Sequence, residues 1–374
     1  MSLDISAAFD AVDHTVLIRR LEAEFGISGL CRQWISSYLT GRSCSVHVGS
    51  STSSVTMATC GVPQGSVLGP LLYTAYVAPV GRLISSYDIK FHQYADDDTQ
   101  LYTRLSSSDS GSTERFHQCT VSLQHWFWSN GLLLHPAKIS VTYFGTRARL
   151  QRSSLPSSVA VASVEISDNL RVLGVTLDGC LSMDTHVNEI VKSCNFHLQA
   201  LRHIRPSLTR EVANMIACAI VTSRIDYCNS LRRGVTEKNL NKLQRIQNRA
   251  ARIVCGVGCN RVVSSRDLLI DLHWLPVRQR IDYKISTLCF KAYRLHQPPY
   301  LSAYTQTYQP SRSLRSSTQE LLVVPPYKTV LGSRRFSVSA PKLWNSLPPA
   351  IRSADSFNNF KAALKTHFFR SSMV

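Results

Sequence analysis

Three aspartates in this 374-residue chain stand where carboxylates could do chemistry. Asp4 is flanked by the apolar Leu3 and Ile5, and Asp96 and Asp97 lie in YADDD between two apolar and aromatic stretches. Carboxylates at the ends of neighbouring strands repel one another, and divalent cations relieve that repulsion most simply. With two such ions the arrangement is a phosphoryl-transfer site in outline: one lowers the pKa of an attacking 3′-hydroxyl, the other neutralises a departing pyrophosphate. A solitary DDD would read better as a solvated turn, so the chemistry depends on the elements that position it.

A short strand signal at Leu3 and Ile5 opens the chain. Val16, Leu17, Leu21, Phe25, Leu30, Trp34, Ile35 and Leu39 recur at helical spacing and predict helix over 13–39, closed at Gly41. Residues 43–48 and 53–59 alternate as a hairpin, and GVPQGSVLGP is a Gly/Pro-punctuated loop feeding a helix over 68–85. Two strands are expected within 89–103, on either side of the Asp run. A Ser-rich linker at 106–112, a helix over 113–130 and strands near 139–145 and 171–177 follow. This order predicts an α+β fold, a sheet with helices packed on one face. From 184 onward the pattern is nearly all helical, over 184–204, 208–223, 237–255 and 278–295. Residues 298–350, rich in Pro and Ser, are expected to be irregular, and an amphipathic helix over 356–369 closes the chain.

The formal net charge of +18 is unevenly distributed: residues 1–150 carry 11 basic and 11 acidic side chains, residues 151–374 carry 31 and 13. A neutral half that could do chemistry is thus joined to a basic half that could hold a polyanion, most commonly nucleic acid. Within it Lys238, Lys242, Arg245, Arg249 and Arg252 are spaced four, three, four and three apart and line one helix face, with Leu240, Leu243, Ile246, Ala250, Ile253 and Val254 opposite. Such a face tracks phosphates or is simply solvated. The Arg and aromatic interleaving at Trp274, Arg278, Arg280, Tyr283, Arg334, Arg335 and Phe336 suits RNA stacking and packing equally. No membrane span or secretory signal is legible, which leaves an intracellular location, nuclear and/or cytoplasmic, as the expectation. Eleven cysteines without a repeated spacing do not form a disulfide framework and are expected to be mostly buried free thiols. Cys255 and Cys259 are followed by no ligand at zinc-knuckle distance.

Taken in order, LDISAAFDAVDH, GVPQGSVLGP and YADDDTQ resemble the palm motifs of the reverse transcriptases of non-LTR (LINE-type) retrotransposons. The resemblance spans residues 1–180 and implies a palm there without its fingers region, a helical thumb over 181–255 and a C-terminal helical and Pro/Ser-rich region over 256–374. It implies metal-binding and catalytic roles for Asp4, Asp96 and Asp97 with two Mg²⁺ ions, Mn²⁺ being an alternative. Phe9 would exclude a ribose 2′-hydroxyl, and Gln64 beside Gly65 would contact the incoming nucleotide. HPAKIS resembles the family's lysine motif and makes Lys138 a candidate general acid for pyrophosphate. RVLGVTLD resembles the hairpin that grips the primer end, centred on Leu173 and Gly174. The five-residue basic face would hold the primer–template backbone. The implied partners are an RNA template, a DNA primer and dNTPs, with no membrane. LHWLPVRQRIDYK and FSVSAPKLWNSLPPAIR resemble the tail that follows the thumb in many such reading frames.

One departure from the family pattern is a third aspartate, Asp98. Either Asp96 and Asp97 remain the ligands on a widened turn, or the pair slides to Asp97 and Asp98; the first is taken here. The missing fingers region and the extra Asp98 leave a catalytically inactive relic that binds nucleic acid through its basic half as the alternative function, and Asp4, three residues after Met1, is expected on a strand prone to fray. An RNA-copying RNA polymerase would share the acidic logic, but the bulky Phe9 argues against ribonucleotides.

Overall fold

The computed structural model describes residues 1–94, 98–105, 111–152, 158–159, 164–258, 263–309 and 320–373. Two units divide the chain, Met1–Gly174 and Val175–Val374. The first is mixed and the second helical, an α+β chain as expected.

In the first unit the strands Ser2–Leu3, Asp98–Tyr102 and Lys90–Tyr94 form an antiparallel sheet in that order. Leu3 pairs with Thr99, and Tyr94 with Asp98, so the register runs toward Asp4 on one strand and ends at the Tyr94–Asp98 pair on the others. The first strand is anchored in the sheet: Leu3 is fully buried, and the Met1 amine donates to the Leu101 carbonyl. Beyond Asp4 the chain pairs differently, Ile5–Ser6 with Leu133–Leu134. The helix Gly69–Ser85 packs against His14–Phe25, Gly111–Ser129 and the Lys90–Tyr94 strand, burying Tyr73, Tyr76, Val80 and Ile84 with Leu17, Leu21, Leu123 and Phe127. The Arg20 guanidinium ties these helices together. It donates to the Tyr76 carbonyl and to Asn130 Oδ1 (2.6 Å) and lies 4.8 Å from the Tyr76 ring centre.

The single helix expected over 13–39 is two, His14–Phe25 and Gly29–Leu39. Gly26 adopts φ +67°, and its amide caps the Glu22 carbonyl, a left-handed stop that a residue with a side chain takes only at a cost. The hairpin is present: residues 43–44 pair with 56–57 and residues 47–48 with 51–52. The strand expected over 139–145 is reduced to isolated bridges, Ser140 to Ser2 and Val141 to Ile166, because successive residues there bond to different neighbours. The strand expected over 171–177 is interrupted by a turn at Leu173 and Gly174, both with positive φ, the sign a type I′ turn requires.

The second unit contains Asp184–Ile204, Arg210–Ala217, Glu237–Val254, Ser265–Asp271, Val277–Arg294, Phe336–Ser346 and Phe357–Met373 among its helices. The helix expected over 208–223 continues beyond Ala217 through a π-helical turn at Cys218–Thr222 and ends at Asp226. Val187, Leu198, Leu243, Ile285, Phe290, Trp344 and Phe360 belong to one core, so helices on both sides of residue 255 bury their apolar faces together. The irregular region expected over 298–350 is corrected: Phe336–Ser346 is helical although Pro341 lies inside it. Proline there removes one backbone bond, at roughly 3 kcal/mol, but Val338, Ala340, Leu343 and Trp344 are all buried on that turn and offset it. Ser265–Asp271, absent from the sequence reading, starts at Ser264, whose Oγ accepts from the Arg266 amide. Ten described cysteines are free, but only Cys119, Cys194 and Cys289 are buried; Cys31, Cys44 and Cys60 are exposed, which corrects the expectation. Among the described residues no helix is long and apolar enough to cross a membrane.

Candidate active site

Asp4 sits at the junction where the first strand changes partners. Leu3 before it faces Thr99, Ile5 after it faces Leu134, and its own carbonyl accepts from the His135 amide at 2.9 Å. Its carboxylate is thereby fixed from both sides and from its backbone. Asp96 and Asp97 lie outside the described residues; the hydrogen-bonded register resumes at Asp98, opposite Tyr94. Among the described residues no group of three or more His, Cys, Asp or Glu side chains is gathered as a metal site. A hard divalent cation takes oxygen donors, and of the three predicted carboxylates Asp4 alone lies among the described residues.

Lys138 meets Asp4 directly. The turn Pro136–Lys138 follows His135, whose amide bonds to the Asp4 backbone, and it brings the Lys138 ammonium to donate to Asp4 Oδ1 at 3.1 Å and Oδ2 at 3.4 Å. The lysine side chain is 58% exposed, so the pair contributes at most about 1 kcal/mol to stability. Its consequence is geometric: a cation occupies the carboxylate, at a distance of 134 residues in sequence.

The Gly61–Gly65 loop is laced to the turn that follows Asp4. The Gly61 amide donates to Val12 O (2.8 Å), the Val62 amide to Phe9 O (2.7 Å), and His14 Nε2 meets the Gly61 carbonyl at 2.7 Å. A carbonyl only accepts, so His14 carries its proton on Nε2. Phe9 is half-buried, its ring 5.4 Å from that of Tyr73. Gln64 donates to both carboxylate oxygens of Asp10, at 3.0 and 3.1 Å. Asp10 escaped the sequence reading; its place beside Phe9 in FDAVDH was the available signal. Gly65 has φ +76° and open space around it. Gly61, by contrast, has φ +88°, and a β-carbon there would lie 2.9 Å from the Asp10 carbonyl. Gly61→Ala is therefore expected to destabilise the chain by about 1–3 kcal/mol, read by urea denaturation, since both the backbone angle and the clash oppose it. An unchanged midpoint would show that the loop does not need this approach.

The remaining predicted residues are divided between the two units. Leu173 and Gly174 form the turn that ends the first. The basic face lies on Glu237–Val254 in the second, where Thr236 caps the helix by accepting from the Asn239 amide. Lys242 donates to Asn188 Oδ1 (2.6 Å), Arg249 to Asn195 Oδ1 (2.8 Å) and Arg252 to the Val263 carbonyl (2.9 Å). Lys238 and Arg245 are exposed. Of the interleaved residues, Arg280 bridges Asp226, Arg278 bridges Glu237 at the surface, and Trp274 is buried.

Residues 1–177 match the family described as reverse transcriptase (RNA-dependent DNA polymerase). The chain is 27% identical over 323 residues to the probable RNA-directed DNA polymerase from transposon BS of Drosophila melanogaster, covering 84% of this chain and 34% of that protein. It is 25% identical over 340 residues to the probable RNA-directed DNA polymerase from transposon X-element of the same species, covering 88% and 36%. Against the RNA-directed DNA polymerase from mobile element jockey of Drosophila funebris it is 26% identical over 279 residues, covering 72% and 29%. The chain thus spans about a third of the length of the curated relatives it matches.

Proposed function

Residues 1–177 belong to the reverse transcriptase family, and from that premise we propose that the chain is the palm and thumb portion of an RNA-directed DNA polymerase of a non-LTR retrotransposon. Its reaction is the attack of a primer 3′-hydroxyl on the α-phosphate of a dNTP, with pyrophosphate leaving. The observation that carries this reading is the fixing of Asp4 at the turn end of the palm sheet, with Lys138 on its carboxylate.

Reverse transcriptases use divalent metal ions. Here Asp4, Asp96 and Asp97 would hold two Mg²⁺ ions, and Mn²⁺ could replace them; bound there, the ions supply charge neutralisation at the attacking and leaving oxygens. The other roles fall to the chain itself. Phe9 presents a ring edge against the sugar of the nucleotide. Asp10 holds the Gln64 carboxamide in one orientation, which fixes the loop that meets the base pair. Lys138, released from Asp4, gives a proton to the departing pyrophosphate, a role for which a mobile ammonium is suited. Leu173 and Gly174 support the primer end. In the second unit Lys238, Lys242, Arg245, Arg249 and Arg252 line one helix face for the primer–template backbone; Lys238 and Arg245 are the most available, because the other three already bond within the unit.

Single-nucleotide extension of a DNA primer on an RNA template, with dNTP and NTP in competition, tests this function. The chain is expected to prefer dNTPs, and Phe9→Ala to narrow that preference by roughly 10- to 100-fold, the scale at which a pocket discriminates small groups. A preference for NTPs would indicate the RNA polymerase reading. Salt-dependent binding of nucleic acid that ignores Mg²⁺ and Asp97→Asn, with no extension, would indicate the relic reading.

A further inference from the structure

The second unit contains a cavity of about 580 Å³ to which the polymerase reading assigns no task. It opens between the start of Glu237–Val254, the start of Val277–Arg294 and the 327–342 segment. Six cationic side chains and only two acidic ones, Glu237 and Asp282, line it. The acids are already engaged, Glu237 with Arg278 and Asp282 with Arg233 at 2.6 Å. Arg232, Lys328, Arg334 and Lys342 are left without an acidic partner in the lining.

Two of these are costly to keep where they are. Arg232 is 1% exposed; it donates to the Ile225 carbonyl, and its Nε and Nη1 have no partner among the described residues. Arg334 is half-buried, held by the carbonyls of Leu181 (2.7 Å) and Arg233 (3.0 Å). Gly234 makes room for it, since a β-carbon there would lie 2.8 Å from Arg334 Cγ. Burial pushes the Arg232 guanidinium down to about 10 and lowers that of Arg334. Asp226 and Asp178 offset that cost in part, without reversing it; buried charge so incompletely balanced is unfavourable, and an anion in the cavity would relieve it. Lys328 is exposed at the rim, and the exposed Lys342 lies 4.1 Å from the centre of the Tyr327 ring and bonds to its hydroxyl.

We propose that this cavity is a phosphate-binding site, taking the phosphates of an inorganic polyphosphate or of a nucleic-acid 5′ end between Arg334, Lys328 and Lys342. The site is separate from the carboxylates of the first unit, so it stands whether or not those support polymerisation.

The full chain is titrated with inorganic tripolyphosphate, following thermal stabilisation and calorimetric binding. Lys328→Glu/Lys342→Glu brings the lining to neutrality and is expected to weaken binding by at least ~10-fold, because the ligand's charge then meets no net attraction. Lys365→Glu/Arg370→Glu, exposed cations of the same unit outside the cavity lining, is expected to leave it unchanged. Circular dichroism confirms that both variants fold, as substitutions at exposed lysines and arginines should. Competition by a short single-stranded RNA with a 5′-triphosphate, but not with a 5′-hydroxyl, assigns the site to nucleic-acid ends; failure of both RNAs to compete assigns it to free polyphosphate. No tripolyphosphate binding, or equal weakening in the two variants, overturns the proposal.

Discussion

Asp4→Asn is expected to reduce dNTP incorporation by about three orders of magnitude, the scale of losing a group that stabilises charge in the transition state, while leaving the melting temperature nearly unchanged. The two halves of that expectation have separate causes. The substitution keeps the shape of the side chain, and the backbone that fixes residue 4 is held by Thr99, Leu134 and His135 whatever the side chain carries. The ion pair that is lost joins Asp4 to an exposed lysine, so little stability goes with it. The negative charge needed to hold a divalent cation is removed outright. Incorporation rates measured beside a thermal melt separate the outcomes: a large fall in rate with an unchanged melt assigns Asp4 to the chemistry. A parallel fall in both would make it a structural residue.

The second large effect is expected in the C-terminal unit, where Trp344→Ala should cost about 3–5 kcal/mol, as the removal of a buried aromatic does. Trp344 is fully buried, its indole N–H donates to the Glu320 carbonyl at 2.9 Å, and its ring lies 5.9 Å from Phe360 and 5.5 Å from Tyr293. Val277–Arg294 and Phe357–Met373 supply those rings and share a core with Leu243 and Ile246 of the basic helix. The loss should therefore appear as reduced cooperative stability of the whole unit in urea, with the basic helix melting alongside the tail. If the tail melted alone, with Glu237–Val254 retained, residues 256–374 would be an independent body instead.

The sequence revealed some of this and not the rest, for identifiable reasons. The Gly69–Ser85 helix follows a Gly-Pro start and carries apolar residues at helical spacing, so composition and geometry agreed there. Phe336–Ser346 was hidden because Pro341 and its serines resemble a loop, whereas burial of Trp344 and Val338 decides the outcome. The break at Gly26 was obscured by apolar periodicity that continues across it. At the site, the spacing of Asp4, Gln64 and the aspartate run suggested chemistry only through resemblance. Contacts such as Gln64 to Asp10 and Lys138 to Asp4 join residues 54 and 134 apart, and no local pattern encodes them. The basic face is the converse case: its helical alignment was plain in the spacing, but the asparagines Asn188 and Asn195, which occupy Lys242 and Arg249, belong to another helix.

Extension of a labelled DNA primer annealed to an RNA template, with dNTPs and Mg²⁺, by the parent chain and by Asp97→Asn, tests the polymerase assignment most directly. The account predicts template-dependent extension by the parent and none by the variant. Extension by neither, or equal extension by both, would contradict it.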